Sequence, residues 1–191
     1  MQRSEALELL HEYTASDSLR KHMLSVEAAM RAYAEHLGED PESWGLAGLL
    51  HDFDYERWPN AGQQPDREHP AEGVRILRER GVGEEICQAI LGHAPYTGVP
   101  RTTPMARALF AVDELTGLIT ACALVKPSRS VHDVDVRSVR KKMKDKAFAR
   151  GVSRDDIRLG TEELGVDLDE HIDRVIAAMQ GSAEKLGLAG T

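Results

Sequence analysis

Apolar positions along the chain recur with the spacing of α-helices and almost nowhere with that of β-strands. Between residues 18 and 37, positions such as Val26 and Met30 form one apolar stripe, and the run ends at Gly38. Such a stripe is typical of a helix that buries one face, and glycine commonly follows the last helical turn. Apolar and polar residues alternate only briefly, at residues 131–136. The pattern therefore predicts an all-α protein.

The same periodicity predicts further helices, separated by loops rich in proline and glycine. They span residues 4–13, 41–51, 70–80, 84–93, 104–125, a stretch capped at Ser153 that runs to about 164, and a stretch capped at Asp167 that runs to about 186. Ser16 and Pro41 are suitable first residues for their helices, because serine caps helix N-termini and proline fits the first turn. In the last helix the apolar stripe leaves out His171, which we expect at the surface.

Composition indicates one soluble domain over residues 1–191, since a chain of this length can bury a core without disulfides. Cys87 and Cys122 each lie alone in an apolar run, which excludes a thiolate zinc site and favours a reducing, cytoplasmic location. The N-terminus lacks an apolar stretch of signal length, and charged residues interrupt the most apolar helix, residues 104–125. We therefore expect no contact with a membrane.

Charge is distributed unevenly. The net charge is −8, yet residues 126–150 hold nine lysines and arginines against three aspartates, a local charge of +6. An acidic body with one basic segment argues against a general nucleic-acid-binding protein and for a local contact with an anion. A solvated basic helix face is the simpler explanation of the same segment. A homo-oligomer is compatible with this pattern, but nothing in it specifies one.

His51 and Asp52 stand side by side where an apolar helical run ends. A neutral imidazole nitrogen binds transition metals, and an adjoining carboxylate can bind the same ion or bridge to a second one. The pair alone more often caps a helix. However, His22, His69 and His93 recur at comparable intervals, each on a face that the helical pattern places inward.

Asp113 lies in the middle of the most apolar predicted helix, between Phe110 and Thr116. A buried carboxylate without a partner costs several kcal/mol, so a positive group must meet it. Arg101, Arg107 or a capping amide would serve, and so would a divalent cation held by the histidines. The spacing alone leaves these alternatives open.

The order of these residues on successive helices resembles the HD superfamily of metal-dependent phosphohydrolases. The motif elements are His22, His51-Asp52, His69-Pro70, His93 and Asp113. The resemblance covers about residues 18–125 and implies an all-helical bundle with a central metal site, with residues 126–191 as accessory helices. Residues 110–119 and 141–146 are also similar to a bacterial HD subgroup of unnamed substrate.

The resemblance implies a first metal held by His22, His51, Asp52 and Asp113. A second metal would be held by His69 and His93, with Asp52 as the bridge. One or two divalent transition metals are expected, namely Fe, Mn, Zn, Co or Ni, whereas Mg is disfavoured because it prefers oxygen ligands.

The implied activity is hydrolysis of a phosphoester in a nucleotide or another small phosphorylated metabolite by a metal-activated water. Asp52 would take part as the bridging ligand. Asp54 or Glu56 would orient the water or hydrogen-bond a ligating imidazole. Lys126 and Arg129 could bind the substrate phosphate, although surface charges after a helix are the simpler interpretation.

Two other functions are compatible with the same residues. HD-type di-iron oxygenases share the scaffold and ligand order, and such an enzyme would consume oxygen with iron bound. A non-catalytic HD module that binds a nucleotide is the third interpretation, against which the intact ligand set argues. No Gly-Tyr-Pro follows His93, which disfavours a cyclic-dinucleotide phosphodiesterase.

Overall fold

A computed structural model describes residues 1–190, and within that range the chain forms ten α-helices and no β-strand beyond one isolated bridge. The helices are α1 (Arg3–Tyr13), α2 (Asp17–Leu37), α3 (Pro41–Leu50), α4 (Ala71–Glu79), α5 (Glu84–His93), α6 (Pro104–Leu124), α7 (Val136–Met143), α8 (Arg154–Leu164), α9 (Leu168–Gln180) and α10 (Ala183–Leu186). The prediction of an all-α fold is confirmed.

Local capping chemistry explains where several helices begin. The side chains of Ser16, Asp40, Thr103 and Ser153 each accept a hydrogen bond from a backbone N–H in the first turn of the helix that follows. These bonds satisfy donors that have no partner inside the helix. Gly38 ends α2 in the left-handed conformation, with φ 75°.

Helices α2 and α3 pack so closely that only a glycine fits at one point of their contact. A Cβ atom added to Gly48 would lie 2.9 Å from backbone atoms of Val26 and Glu27. This approach sets the distance between His22 on α2 and His51, the residue that caps the C-terminus of α3.

Helix α6 is the central helix of the fold, and its first three turns are buried almost throughout. It packs against α2, α5, α8 and α9. Its contact with α8 is tight, because a Cβ atom on Gly160 would lie 2.6 Å from Cα of Ala111. Asp113, two residues further along α6, faces His22 and His51 inside the bundle.

The C-terminal region differs from the prediction in two respects. The single helix expected up to residue 186 breaks after Gln180, and a separate short helix, α10, follows at Ala183–Leu186. The expectation that His171 lies at the surface is wrong: its side chain is fully buried. The apolar pattern did not predict the burial of His171. The hydrogen-bond partners that offset the cost of burying its imidazole lie on α2 and α6, far away in sequence.

Two smaller boundaries also differ. Pro70, expected at the first helical position, precedes α4 and follows a cis peptide bond with His69. Residues 131–136, where the sequence alternates briefly, form a single 3-10 turn at Val131–Asp133 and the start of α7. None of the helices within residues 1–190 is long and apolar enough to cross a membrane.

Candidate metal centre

Six side chains from three helices and two connecting segments converge at the centre of the bundle. They are His22 on α2, His51 and Asp52 after α3, His69 before α4, His93 at the end of α5 and Asp113 on α6. Three of these histidines, His51, His69 and His93, are buried, with at most 7% of their surface exposed. The sequence-predicted ligand residues therefore meet in one place.

The first group of donor atoms surrounds His22. Its Nε2 lies 3.0 Å from Oδ1 of Asp113 and 3.2 Å from Nε2 of His51. Oδ2 of Asp52 lies 3.8 Å from His22 Nε2 and 3.5 Å from His51 Nε2. The ligand atoms of His22, His51 and Asp113 all lie within 4.8 Å of one another, and Oδ2 of Asp52 lies beside the two imidazoles.

The second group of donor atoms uses the other oxygen of the same carboxylate. Oδ1 of Asp52 lies 3.2 Å from Nε2 of His69 and 3.5 Å from Nε2 of His93. The two imidazole nitrogens are 3.3 Å apart. Asp52 therefore faces one donor group with each oxygen, which is the arrangement expected of a bridging carboxylate.

Hydrogen bonds on the far side of three imidazoles determine which nitrogen faces the cluster. The carbonyl of Gly48 lies 2.8 Å from Nδ1 of His51, and the carbonyl of Ile90 lies 2.5 Å from Nδ1 of His93. A carbonyl only accepts, so each Nδ1 carries a hydrogen. When these rings are neutral, each Nε2 lone pair points into the cluster, as metal ligation requires.

Asp54 performs the same task for His69. Its Oδ1 accepts a hydrogen bond from Nδ1 of His69 at 2.7 Å, while its Oδ2 accepts one from the backbone N–H of Gly73 at 2.7 Å. The carboxylate is buried. Of the two roles expected for Asp54, the structure shows the contact with a ligating imidazole.

The carboxylates of the cluster raise the pKa values of two neighbouring imidazoles. Burial opposes protonation of His51, but the charges of Asp52 and Asp113 outweigh it and raise the pKa of His51 to about 9. Burial also opposes protonation of His69, whose hydrogen bonds to Asp52 and Asp54 raise its pKa to about 10. Because the carboxylates raise the imidazole pKa values in spite of burial, they favour a positive charge in this position.

The donor set fits transition-metal ions. Four imidazole nitrogens and two carboxylates are the ligands preferred by Fe, Mn, Zn, Co and Ni, and they are buried where uncompensated carboxylates are costly. The arginines considered as partners of Asp113 lie elsewhere: Arg101 pairs with Glu163 at 2.6 Å, and Arg107 donates to the carbonyl of Arg101. His22 and His51 are the groups that meet Asp113.

Glu56 is not part of the cluster, contrary to the expectation that it orients a water. Its two carboxylate oxygens accept the backbone N–H groups of Ala15 and Ser16, each at 2.8 Å, just before α2. These bonds lower the pKa of Glu56. The residue helps to fix the start of α2 instead.

Lys126 and Arg129 also lie outside the cavity that the cluster opens into. From Asp113 the helix α6 continues to Leu124, a rise of about 17 Å at roughly 1.5 Å per residue. Arg129 lines a different cavity, of about 320 Å³, on another side of His22. Neither residue lines the cavity over the cluster, and their contact with a substrate phosphate stays a prediction.

The cavity over the cluster has a volume of about 480 Å³. Sequence reasoning did not identify the residues that form its walls, which come from loops, from α6 on both sides of Asp113 and from α8. Its lining beyond the six donors includes Tyr55, Asn60, Tyr96, Phe110, Glu114 and Asp156. Burial, followed by the charge of Asp113, raises the pKa of Glu114 to about 7; a cation in the cluster would act in the opposite direction.

A family model described as an HD domain matches residues 19–118, about half of the chain. The match includes all six converging side chains. No curated protein and no solved structure matches the chain.

Proposed function

The chain belongs to the HD domain family, and we propose that it is a metal-dependent phosphohydrolase that cleaves a phosphoester of a small phosphorylated metabolite or nucleotide. The single observation that carries the proposal is the position of Asp52, whose two oxygens face two separate groups of imidazoles. Two adjacent cation positions that share a carboxylate are typical of enzymes that hydrolyse phosphate esters.

His22, His51, Asp52 and Asp113 would hold one divalent ion, and His69 and His93 would hold a second one with Asp52 as the bridge. When bound, such ions supply Lewis acidity, lower the pKa of water and neutralise charge on phosphate oxygens. The residues that face each position are the same whether one ion or two are bound. The metals that suit these ligands are Fe, Mn, Zn, Co and Ni.

The protein's own residues would orient the ligands and shape the reaction space. The carbonyls of Gly48 and Ile90 and the carboxylate of Asp54 fix three imidazoles with Nε2 inward. Fixed ligand orientation is worth about 10–100-fold in metal affinity or activity. The substrate would enter the cavity over the cluster, with its phosphate next to Asp52.

The test begins with metal content and then measures turnover. Protein purified without added metal is analysed for bound elements, chelated, and assayed on a panel of phosphoesters with each of several divalent ions. We expect turnover that chelation abolishes and that His51→Ala and Asp52→Ala remove, while circular dichroism shows that both variants remain helical. His11→Ala, which changes an exposed histidine outside the cluster, serves as the control.

Three results would contradict the proposal. Unaltered turnover in the His51→Ala and Asp52→Ala variants would place the reaction elsewhere. Oxygen consumption by the iron-loaded protein with an organic substrate, without release of phosphate, would identify an HD-type oxygenase. Metal binding without any turnover would identify a binding module.

A further inference from the structure

The cavity over the metal-ligand cluster is acidic on the side away from the donors. Beyond the six donor residues, its charged lining residues are Glu114 on α6 and Asp156 on α8. Among the described residues that line this cavity, none is a lysine or an arginine. This is unexpected in a cavity that accepts phosphate esters, which carry negative charge.

Nearby cations are neutralised or directed elsewhere. The guanidinium of Arg101 stacks on the outer side of Phe110, 3.7 Å from the ring centre, but it also forms a two-bond ion pair with Glu163 at 2.6 and 2.7 Å. Lys144, Lys146 and Arg150 line a separate groove beyond Val152. Positive charge for a substrate phosphate would therefore come from the ions at the donor cluster.

The two acidic side chains have acceptor oxygens left for a ligand. Oε2 of Glu114 accepts the backbone N–H of Ser153 at 3.0 Å, which holds the carboxylate at the cavity wall and leaves its second oxygen without a protein hydrogen bond among the described residues. The Asp156 carboxylate forms no side-chain hydrogen bond or ion pair within residues 1–190. Tyr55, Tyr96 and Phe110 form the aromatic part of the same cavity.

We propose that this cavity selects phosphomonoesters whose remaining part is cationic or uncharged, with Glu114 and Asp156 receiving an ammonium or hydroxyl group. The inference rests on the proposed function and narrows its substrate class. A second anionic group on the substrate would face two carboxylates in a cavity without a lysine or arginine in its lining. Like charges placed together at a binding site are strongly unfavourable, so nucleoside di- and triphosphates are disfavoured as substrates.

The experiment uses three phosphomonoesters of similar size that differ in charge: phosphoethanolamine, ethyl phosphate and phosphoglycolate. With the metal-loaded full-length protein, we expect kcat/KM for phosphoethanolamine to exceed that for phosphoglycolate by about tenfold or more, with ethyl phosphate between them. Binding of 3-aminopropylphosphonate, propylphosphonate and 3-phosphonopropionate, measured by calorimetry, should follow the same order without depending on turnover.

Variants that remove the charge of Glu114 or Asp156 test whether these residues cause the preference for cationic substrates. Glu114→Gln and Asp156→Asn should each reduce the ratio between the cationic and anionic members of both series several-fold. Asp155→Asn is the matched control, because Asp155 lies next to Asp156 in the first turn of α8 but is 96% exposed and pairs with Arg158. It should leave both ratios unchanged.

Three results would overturn the inference: a preference for phosphoglycolate, a preference for nucleoside di- or triphosphates, or unchanged ratios in both variants. Binding of none of the three phosphonates would overturn it as well. Failure of the proposed function can be told apart from failure of this inference. It would be detected as absence of bound metal, or as phosphate release that continues in the His51→Ala or Asp52→Ala variant.

Discussion

At the scale of single residues, the candidate centre includes side chains that contact its histidines but do not line the cavity over them. Asp54 illustrates this, because both of its oxygens are committed: one to His69 and one to the N–H of Gly73. Gly73 is required for a steric reason as well. A Cβ atom at this position would lie 2.6–2.9 Å from the Asp54 carboxylate.

We therefore predict that Gly73→Ala displaces Asp54 and releases the ring of His69. Metal affinity, measured by competition with a chromogenic chelator, should fall about 10–100-fold, the usual cost of losing an orienting hydrogen bond. Gly83→Ala is the control, since a Cβ atom there would meet nothing within 4 Å. Equal metal affinity in both variants would show that Asp54 does not orient His69.

The raised pKa values of two imidazoles predict that metal binding is coupled to the release of protons. His51 and His69 have pKa values raised to about 9 and about 10 in the metal-free protein, so both are protonated at pH 7.5. Metal ligation needs the neutral rings, hence binding must release protons. Calorimetry in buffers of different ionisation enthalpy should detect the release of up to about two protons per protein, and metal affinity should rise with pH. Proton-neutral binding would contradict these protonation states.

At the scale of helices, the close contact between α2 and α3 brings the two halves of the first donor group together. His22 belongs to α2, whereas His51 and Asp52 follow α3, and the Nε2 atoms of the two histidines are 3.2 Å apart. The contact is permitted by Gly48, which lies against the backbone of Glu27.

Gly48→Ala should force these helices apart. Overpacking of this kind costs about 1–3 kcal/mol, so the free energy of unfolding measured in urea should decrease by that amount, and metal affinity should decrease with it. Gly181→Ala provides the comparison, because its added Cβ atom would have ordinary contacts of 3.5 Å or more. A stable Gly48→Ala variant with full metal affinity would show that the contact can widen without cost.

At the scale of the whole molecule, His171 connects the C-terminal region to the bundle that carries the site. Its Nε2–H donates to the carbonyl of Ala111 on α6 at 2.9 Å, and its Nδ1 accepts the hydroxyl of Tyr33 on α2. The bond that Nδ1 accepts from Tyr33 needs the neutral ring, whereas the bond to the Ala111 carbonyl does not. Burial lowers the pKa of His171 to about 4.

The sign of the resulting pH dependence follows from this depressed pKa. The stabilising contribution of His171 is complete above its ordinary pKa of 6.5 and is lost as the pH falls towards 4. In chelated protein, the difference in unfolding free energy between wild type and His171→Gln should shrink by about 2 kcal/mol from pH 7.5 to pH 5. His36→Gln, at an exposed position, should show no such change. A pH-independent difference would mean that His171 is not held neutral.

Much of this protein was determined by local sequence. Apolar periodicity and the capping residues Ser16, Asp40 and Ser153 established the helices, since these interactions act within a few residues of one another. The spacing of histidines and aspartates, together with the HD resemblance, identified the six side chains that meet. A motif can be recognised in one dimension because each element lies in its own helix or directly next to it.

Only the tertiary structure decided which residues surround that motif. The burial of His171, the helix-capping position of Glu56, and the acidic wall formed by Glu114 and Asp156 all depend on partners distant along the chain. Side-chain burial and the sign of a cavity's charge arise when separate helices pack together, and no local pattern encodes them. The sequence thus determined the candidate ligand residues, whereas packing determined the walls of the cavity over them.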